Sequence, residues 1–99
     1  MVKEINSDNF NQETSKGKSL VDFWGSWCKP CLMLAPIVEE LSNEMKDIKF
    51  YILVVDKSPD IAAQYEIMGI PTLILFKDGK EIKRIVGLRS KEDLKKELK

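Results

Sequence analysis

The two cysteines of this chain stand three residues apart, in Trp27-Cys28-Lys29-Pro30-Cys31, so whatever thiol chemistry the sequence holds is concentrated in one stretch. An apolar run, Leu20 to Trp24, leads into it and reads as a strand. An amphipathic pattern from Leu32 to Met45 leads out and reads as a helix. This order puts Cys28 at a helix N-terminus, where unpaired N–H groups and the positive end of the helix dipole favour a thiolate over a thiol. Cys31, one turn further on, faces the same side and lies within the roughly 4.4–6.8 Å Cα separation that a disulfide requires. The pair can therefore cycle between dithiol and disulfide. Attack by one thiolate on a partner disulfide and resolution by the second is the chemistry this spacing serves, and the second step needs no bimolecular encounter.

Composition removes several rival chemistries. With two thiols and no histidine, a closed four-ligand Cys/His zinc site would need a second chain, and Cys-His nucleophilic catalysis is absent. Sixteen basic residues balance sixteen acidic ones, so no electrostatic footprint for nucleic acid or an anionic membrane is expected. The distribution is uneven: residues 1–76 carry 7 basic and 11 acidic groups, residues 77–99 carry 9 and 5. We read this as mainly solvated surface. No apolar leader follows Met1, and the longest apolar run, Phe50 to Val55, is too short to span a bilayer, so a cytoplasmic protein is expected. Ninety-nine residues, 43% of them hydrophobic, suit a single domain over residues 1–99 that buries somewhat more than ~60% of the unfolded chain's surface.

The elements that must position the cysteines follow from pattern. Val2 to Asn6 is read as a short strand, and Ser7 as the N-cap of a short helix to about Thr14. Ser19 to Trp24 is continuous enough to be a strand covered on both faces. Leu34, Ile37, Val38, Leu41 and Met45 recur at helical spacing along one face, with Pro36 expected to kink that helix. Phe50 to Val55 reads as the central buried strand, and Ser58-Pro59 opens a helix to about Tyr65. Thr72 to Lys77, Asp78-Gly79 and Glu81 to Val86 form a hairpin; Ser90 with Asp93 caps a final helix with Leu94 and Leu98 facing inward. The order β-α-β-α-β-α-β-β-α implies an α/β fold with a mixed, mainly parallel sheet covered on both faces.

Val21-Asp22-Phe23-Trp24, Trp27-Cys-x-Pro-Cys, Pro36 and the distant Gly69-Ile70-Pro71-Thr72, in this order, resemble thioredoxin along essentially the whole chain. The resemblance implies the thioredoxin fold, a central mixed five-stranded sheet flanked by four helices, and a thiol-disulfide oxidoreductase. It implies Cys28 as nucleophile, Cys31 as resolving thiol and Asp22 as the buried acid that takes and returns the proton of Cys31. An Asp in an apolar strand fits that role, because a buried unpaired carboxylate is held near its protonated form; a side chain turned to solvent is the alternative. The family often has a lysine near this acid where the sequence has Ile52, which should raise the Asp22 pKa further.

Trp27, Lys29, Pro30, Gly69, Ile70, Pro71 and Gly87 are then the expected substrate-contact residues, with Ile70-Pro71 cis, and Trp24 packs in the core beneath. For each glycine, turn geometry alone is the competing explanation. Disulfide-containing proteins and a thioredoxin reductase are the implied partners, no bound cofactor or metal is implied, and a monomer is expected. Two alternatives stay open: a thioredoxin-like protein with a dedicated partner, suggested by Lys29 where the family usually has glycine, and a binding module whose cysteines are incidental.

Overall fold

A computed structural model describes residues 1–99 and contains nine elements: β1 Lys3–Ile5, α1 Phe10–Thr14, β2 Lys18–Trp24, α2 Lys29–Glu44, β3 Ile48–Val54, α3 Pro59–Gln64, β4 Thr72–Lys77, β5 Lys80–Val86 and α4 Lys91–Leu98. The strands form one sheet in the order β1-β3-β2-β4-β5. The pairs β1–β3 and β2–β3 are parallel, whereas β2–β4 and β4–β5 are antiparallel. This is the mixed five-stranded sheet with four helices that the alternation implied, but its four pairings divide evenly between parallel and antiparallel rather than being mainly parallel, because the β4–β5 hairpin joins the sheet antiparallel to β2. One expectation is corrected: β2, not β3, is the middle strand, because β2 is paired along both edges and β3 is followed outward by β1. An apolar run reports burial on both faces, which β2 and β3 share, and carries no information about rank within the sheet.

Each face of the sheet has its own core. On one, Leu34, Val38 and Leu41 of α2 and Leu94 and Leu98 of α4 pack on Leu20, Phe50, Leu73 and Leu75. On the other, Phe10 of α1 and Ile61 of α3 pack on Val21, Phe23, Leu53, Ile74 and Phe76, with Phe10, Tyr65 and Phe76 in edge-on and tilted ring contacts 5.3–5.5 Å apart. Surface ion pairs add a strap between α2 and α4: Lys91 reaches Glu40 and Glu44, and Lys95 reaches Glu44 at 2.8 Å.

Helix starts follow the sequence reading in part. Ser90 accepts the N–H of Asp93 at 3.1 Å and opens α4 as expected. Ser7 does not cap α1. The helix begins three residues later at Phe10, because Asn6 and Asn9 capture the intervening backbone: Asn9 Oδ1 accepts from Asn6 N–H and Asn6 Oδ1 from Asp8 N–H, leaving the Ser7 hydroxyl to donate to Asp60. Ser58 occupies the N-cap position of α3 but makes no capping bond; its Oγ is buried without a partner. At the hairpin, Asp78 and Gly79 have φ of +50° and +85°, the left-handed pair that a two-residue turn with the strands' twist demands.

Candidate active site

Where β2 ends, the chain turns through Gly25, Ser26 and Trp27, closed by Cys28 N–H donating to Gly25 O at 3.1 Å, and enters α2 at Lys29. Cys28 is the N-cap. Its backbone is extended (φ −91°, ψ 110°), and its Sγ accepts the N–H of Cys31 at 3.2 Å. A sulfur thus fills the position that a serine or aspartate oxygen fills in most caps, which holds it against the unpaired N–H groups of the first turn. Pro30, at the second helical position, gives up an N–H that has no intrahelical partner there. The two cysteines are paired as a disulfide with Cα atoms 5.2 Å apart. Cys28 keeps 9% of its surface and Cys31 none, so attack from outside is open only at Cys28.

The loop before β4 forms the opposite wall. Ile70-Pro71 is cis, and the Ile70 carbonyl oxygen lies 3.8 Å from Cys28 Sγ. Two further residues fasten this loop. Thr72 Oγ1 donates to Gly69 O, and Gly87 N–H donates to Pro71 O at 2.8 Å. Gly87 holds φ at +94°, so its backbone conformation calls for glycine, whereas Gly69 has an ordinary φ and empty space where a Cβ would sit. Ile70 itself makes no backbone hydrogen bond, Trp27 is 61% exposed, and Met33, Met68 and Leu88 add further exposed apolar surface. Lys29 and Pro30 are exposed on the first turn.

Asp22 is 1% exposed, and its Oδ1 has no hydrogen-bond partner. Burial alone pushes its pKa up to about 7 from 3.8. In the parallel register it stands opposite Ile52, so no cation faces it from β3. Together with Val2, Trp24, Ala35, Pro36, Val38, Glu39 and Ile52 it lines a cavity of about 340 Å³, large enough for several waters. Here the expectation for Trp24 is corrected. Its ring is half-buried and lines this cavity rather than joining either core, with its indole N–H buried and unpartnered. A side chain that alternates into an apolar strand looks like core in sequence; the vacant volume beside Asp22 is a property of how α2 crosses the sheet.

The structure therefore brings Cys28, Cys31, Trp27, Lys29 and Pro30 together with the Gly69–Pro71 loop, and sets Asp22 beneath β2's end, in a cavity. Two contributors escaped the sequence reading. Thr72 was visible only as part of a motif, and Gly25 gives no local signal: its φ is ordinary, and the reason for glycine is the Trp27 ring lying against it.

Comparison with known proteins agrees with this geometry. The family model described as Thioredoxin matches residues 1–99. A thioredoxin of Listeria monocytogenes is 45% identical over 95 residues, 95% of this chain and 92% of its own. One from Chlamydia pneumoniae is 48% identical over 94 residues, 95% and 92% of the two chains. The crystal structure of the Malassezia sympodialis thioredoxin superposes with a TM-score of 0.91 at 33% identity, covering 98% of this chain and 89% of that one. With the Cys28–Cys31 pair at a helix N-terminus, a facing cis-proline loop and these relatives matched over 95% or more of the chain, the chain belongs to the thioredoxin family and is a protein thiol-disulfide oxidoreductase.

Proposed function

We propose that the protein reduces disulfides of other proteins through Cys28 as the attacking thiolate and Cys31 as the resolving thiol. The observation that carries this reading is the asymmetry of the pair: Cys28, whose Sγ caps α2, keeps 9% of its surface open to a partner, and Cys31 keeps none. Attack of the Cys28 thiolate breaks the substrate S–S bond, forms a mixed disulfide and releases one substrate thiolate, which takes a proton from solvent. Cys31 then loses its proton to Asp22 and attacks Cys28 Sγ, breaking the mixed disulfide and releasing the second thiolate. The protein is left as the Cys28–Cys31 disulfide, oxidised by two electrons. Its reduction by a separate thioredoxin reductase restores the dithiol and closes the cycle.

A carboxyl poised near neutrality suits a group that must accept a proton and give it back at physiological pH. The unpaired backbone of Ile70, beside the sulfur, supports strand-like docking of an extended substrate segment, with Trp27, Gly69, Pro71 and Gly87 around it. No helix is long and apolar enough to cross a membrane, which is consistent with a cytoplasmic site of action. Mass-resolved alkylation of the reduced protein tests the roles: Cys28 labels much faster than Cys31, and equal rates overturn the assignment. Turnover of a protein disulfide with a thioredoxin reductase tests the activity, and a double Cys28→Ser, Cys31→Ser variant that kept its biological activity would identify a binding module instead.

A further inference from the structure

We propose that Gly25 is a positioning residue for the docking surface: by lacking a side chain it seats the Trp27 indole, and so sets how tightly a protein disulfide binds. A β-carbon built at residue 25 falls 2.5 Å from Trp27 Cη2, 2.6 Å from Cζ3 and 2.7 Å from Cζ2. Those are impossible separations, so the ring and a β-carbon at 25 exclude one another. The backbone does not otherwise require glycine here, since the residues with positive φ are Glu66, Asp78, Gly17, Gly79 and Gly87. Gly25 is buried while the indole above it is 61% exposed, and its carbonyl accepts the Cys28 N–H that closes the turn. The end of β2 thus offers the indole a backbone platform. A seated ring presents a fixed aromatic edge next to Cys28, and a partner that packs on it does not have to order it first.

Substituting Gly25→Ala displaces the ring outward, where solvent leaves it room, so the fold survives and only the ring's order is lost. The inference rests on the reading that Trp27 contacts protein substrates, and the two are separable. For Gly25→Ala, KM for a protein disulfide is expected to rise by roughly threefold to tenfold, the ordering cost of one freed side chain at an interface. Turnover number, and reduction of a small aromatic disulfide too short to reach the ring, stay within about twofold by the same reasoning. In a Trp27→Ala background Gly25→Ala should change nothing further, since its effect runs through the ring. Unchanged KM in the parent background, or an equal loss in the Trp27→Ala background, overturns the proposal. If Trp27→Ala alone leaves KM unaltered, the substrate-contact reading fails instead. The seat itself is checked in the unaltered protein, by a nuclear Overhauser contact between the Gly25 Hα protons and Trp27 Hη2; its absence overturns the proposal whether or not the variant folds.

Discussion

Helices α2 and α4 are both capped by a side-chain atom that accepts the N–H three residues on, Cys28 Sγ from Cys31 at 3.2 Å and Ser90 Oγ from Asp93 at 3.1 Å. Both caps have extended backbone. Their surroundings differ in charge and depth. The first turn of α4 carries Glu92 and Asp93, which take up the positive end of its dipole, and the cap is an exposed hydroxyl. The first turn of α2 carries no acid; it carries Lys29 and Pro30, and the cap is a sulfur against the cis-proline loop. The same local geometry serves as a helix start alone in one place and as thiolate stabilisation as well in the other, because the first turn of α2 carries no acid to offset the positive end of its dipole.

Removing the sulfur of the α2 cap while keeping a capping atom should separate the two roles most sharply. Cys28→Ser is expected to abolish turnover, by on the order of 10³-fold or more, with stability relative to the reduced parent protein changed by no more than about 1 kcal/mol, since serine is a good N-cap. Cys31→Ser should instead accumulate a mixed disulfide with substrate, visible on a non-reducing gel. A Cys28→Ser protein that still reduced disulfides would remove the distinction between the caps.

Asp22 gives the next largest effect, through stability rather than capping. Its carboxyl titrates at about 7 when folded and near 3.8 when unfolded, so between those values the folded protein binds more protons than the unfolded chain. Stability therefore falls as pH rises through that window, by up to roughly 4 kcal/mol, and is regained on acidification toward pH 4. Asp22→Asn should be more stable at pH 8, should lose this slope, and should release mixed disulfides more slowly. Urea denaturation at pH 5 and pH 8 checks the first two; a variant less stable at pH 8 with normal kinetics would refute the buried-acid role.

Moving the thiol from one cap to the other tests the charge comparison directly. In a Cys28→Ser, Cys31→Ser background, Ser90→Cys places a lone thiol over Glu92 and Asp93, and at pH 7 it should alkylate about tenfold more slowly than the lone thiol of Cys31→Ser. Equal rates would mean that the cap position alone, not the charge beneath it, activates Cys28.

The smallest effect is expected at Lys29. An exposed ammonium one residue from the sulfur stabilises a thiolate that exists only in the reduced state, so Lys29→Gly should raise the Cys28 pKa and lower the redox potential by about 10–20 mV. Both changes should shrink in high salt. Redox equilibration against a reference dithiol at two ionic strengths measures them; a higher potential would sink the charge argument.

Much of this molecule was legible in sequence because much of it is local. Cys28 as a cap follows from a strand ending at Trp24 and a helical period starting at Leu32; the hairpin follows from Asp78-Gly79; the cap of α4 follows from Ser90. Those features depend on residues within about eight positions of each other along the chain. Where local signals competed, the reading slipped: at Ser7 two asparagines offered the backbone closer acceptors than a serine cap, and α1 began later. The docking loop was placed opposite the cysteines by resemblance, since nothing between Cys31 and Gly69 encodes their approach.

The sequence by itself thus determined the element order, the identity of the reactive pair and which helix end carries it, since these rest on periodicity, capping chemistry and spacing along the chain. Only the tertiary structure decided that β2 lies at the centre of the sheet, that Trp24 faces a cavity shared with Asp22, that Gly87 ties Pro71 in place and that Gly25 lies beneath the Trp27 ring. Each of these sets side chains or backbone groups from different elements, or from either side of a turn, into one volume. Strand rank, cavity shape and ring placement are consequences of how packed layers fill space, and no period along the chain records them.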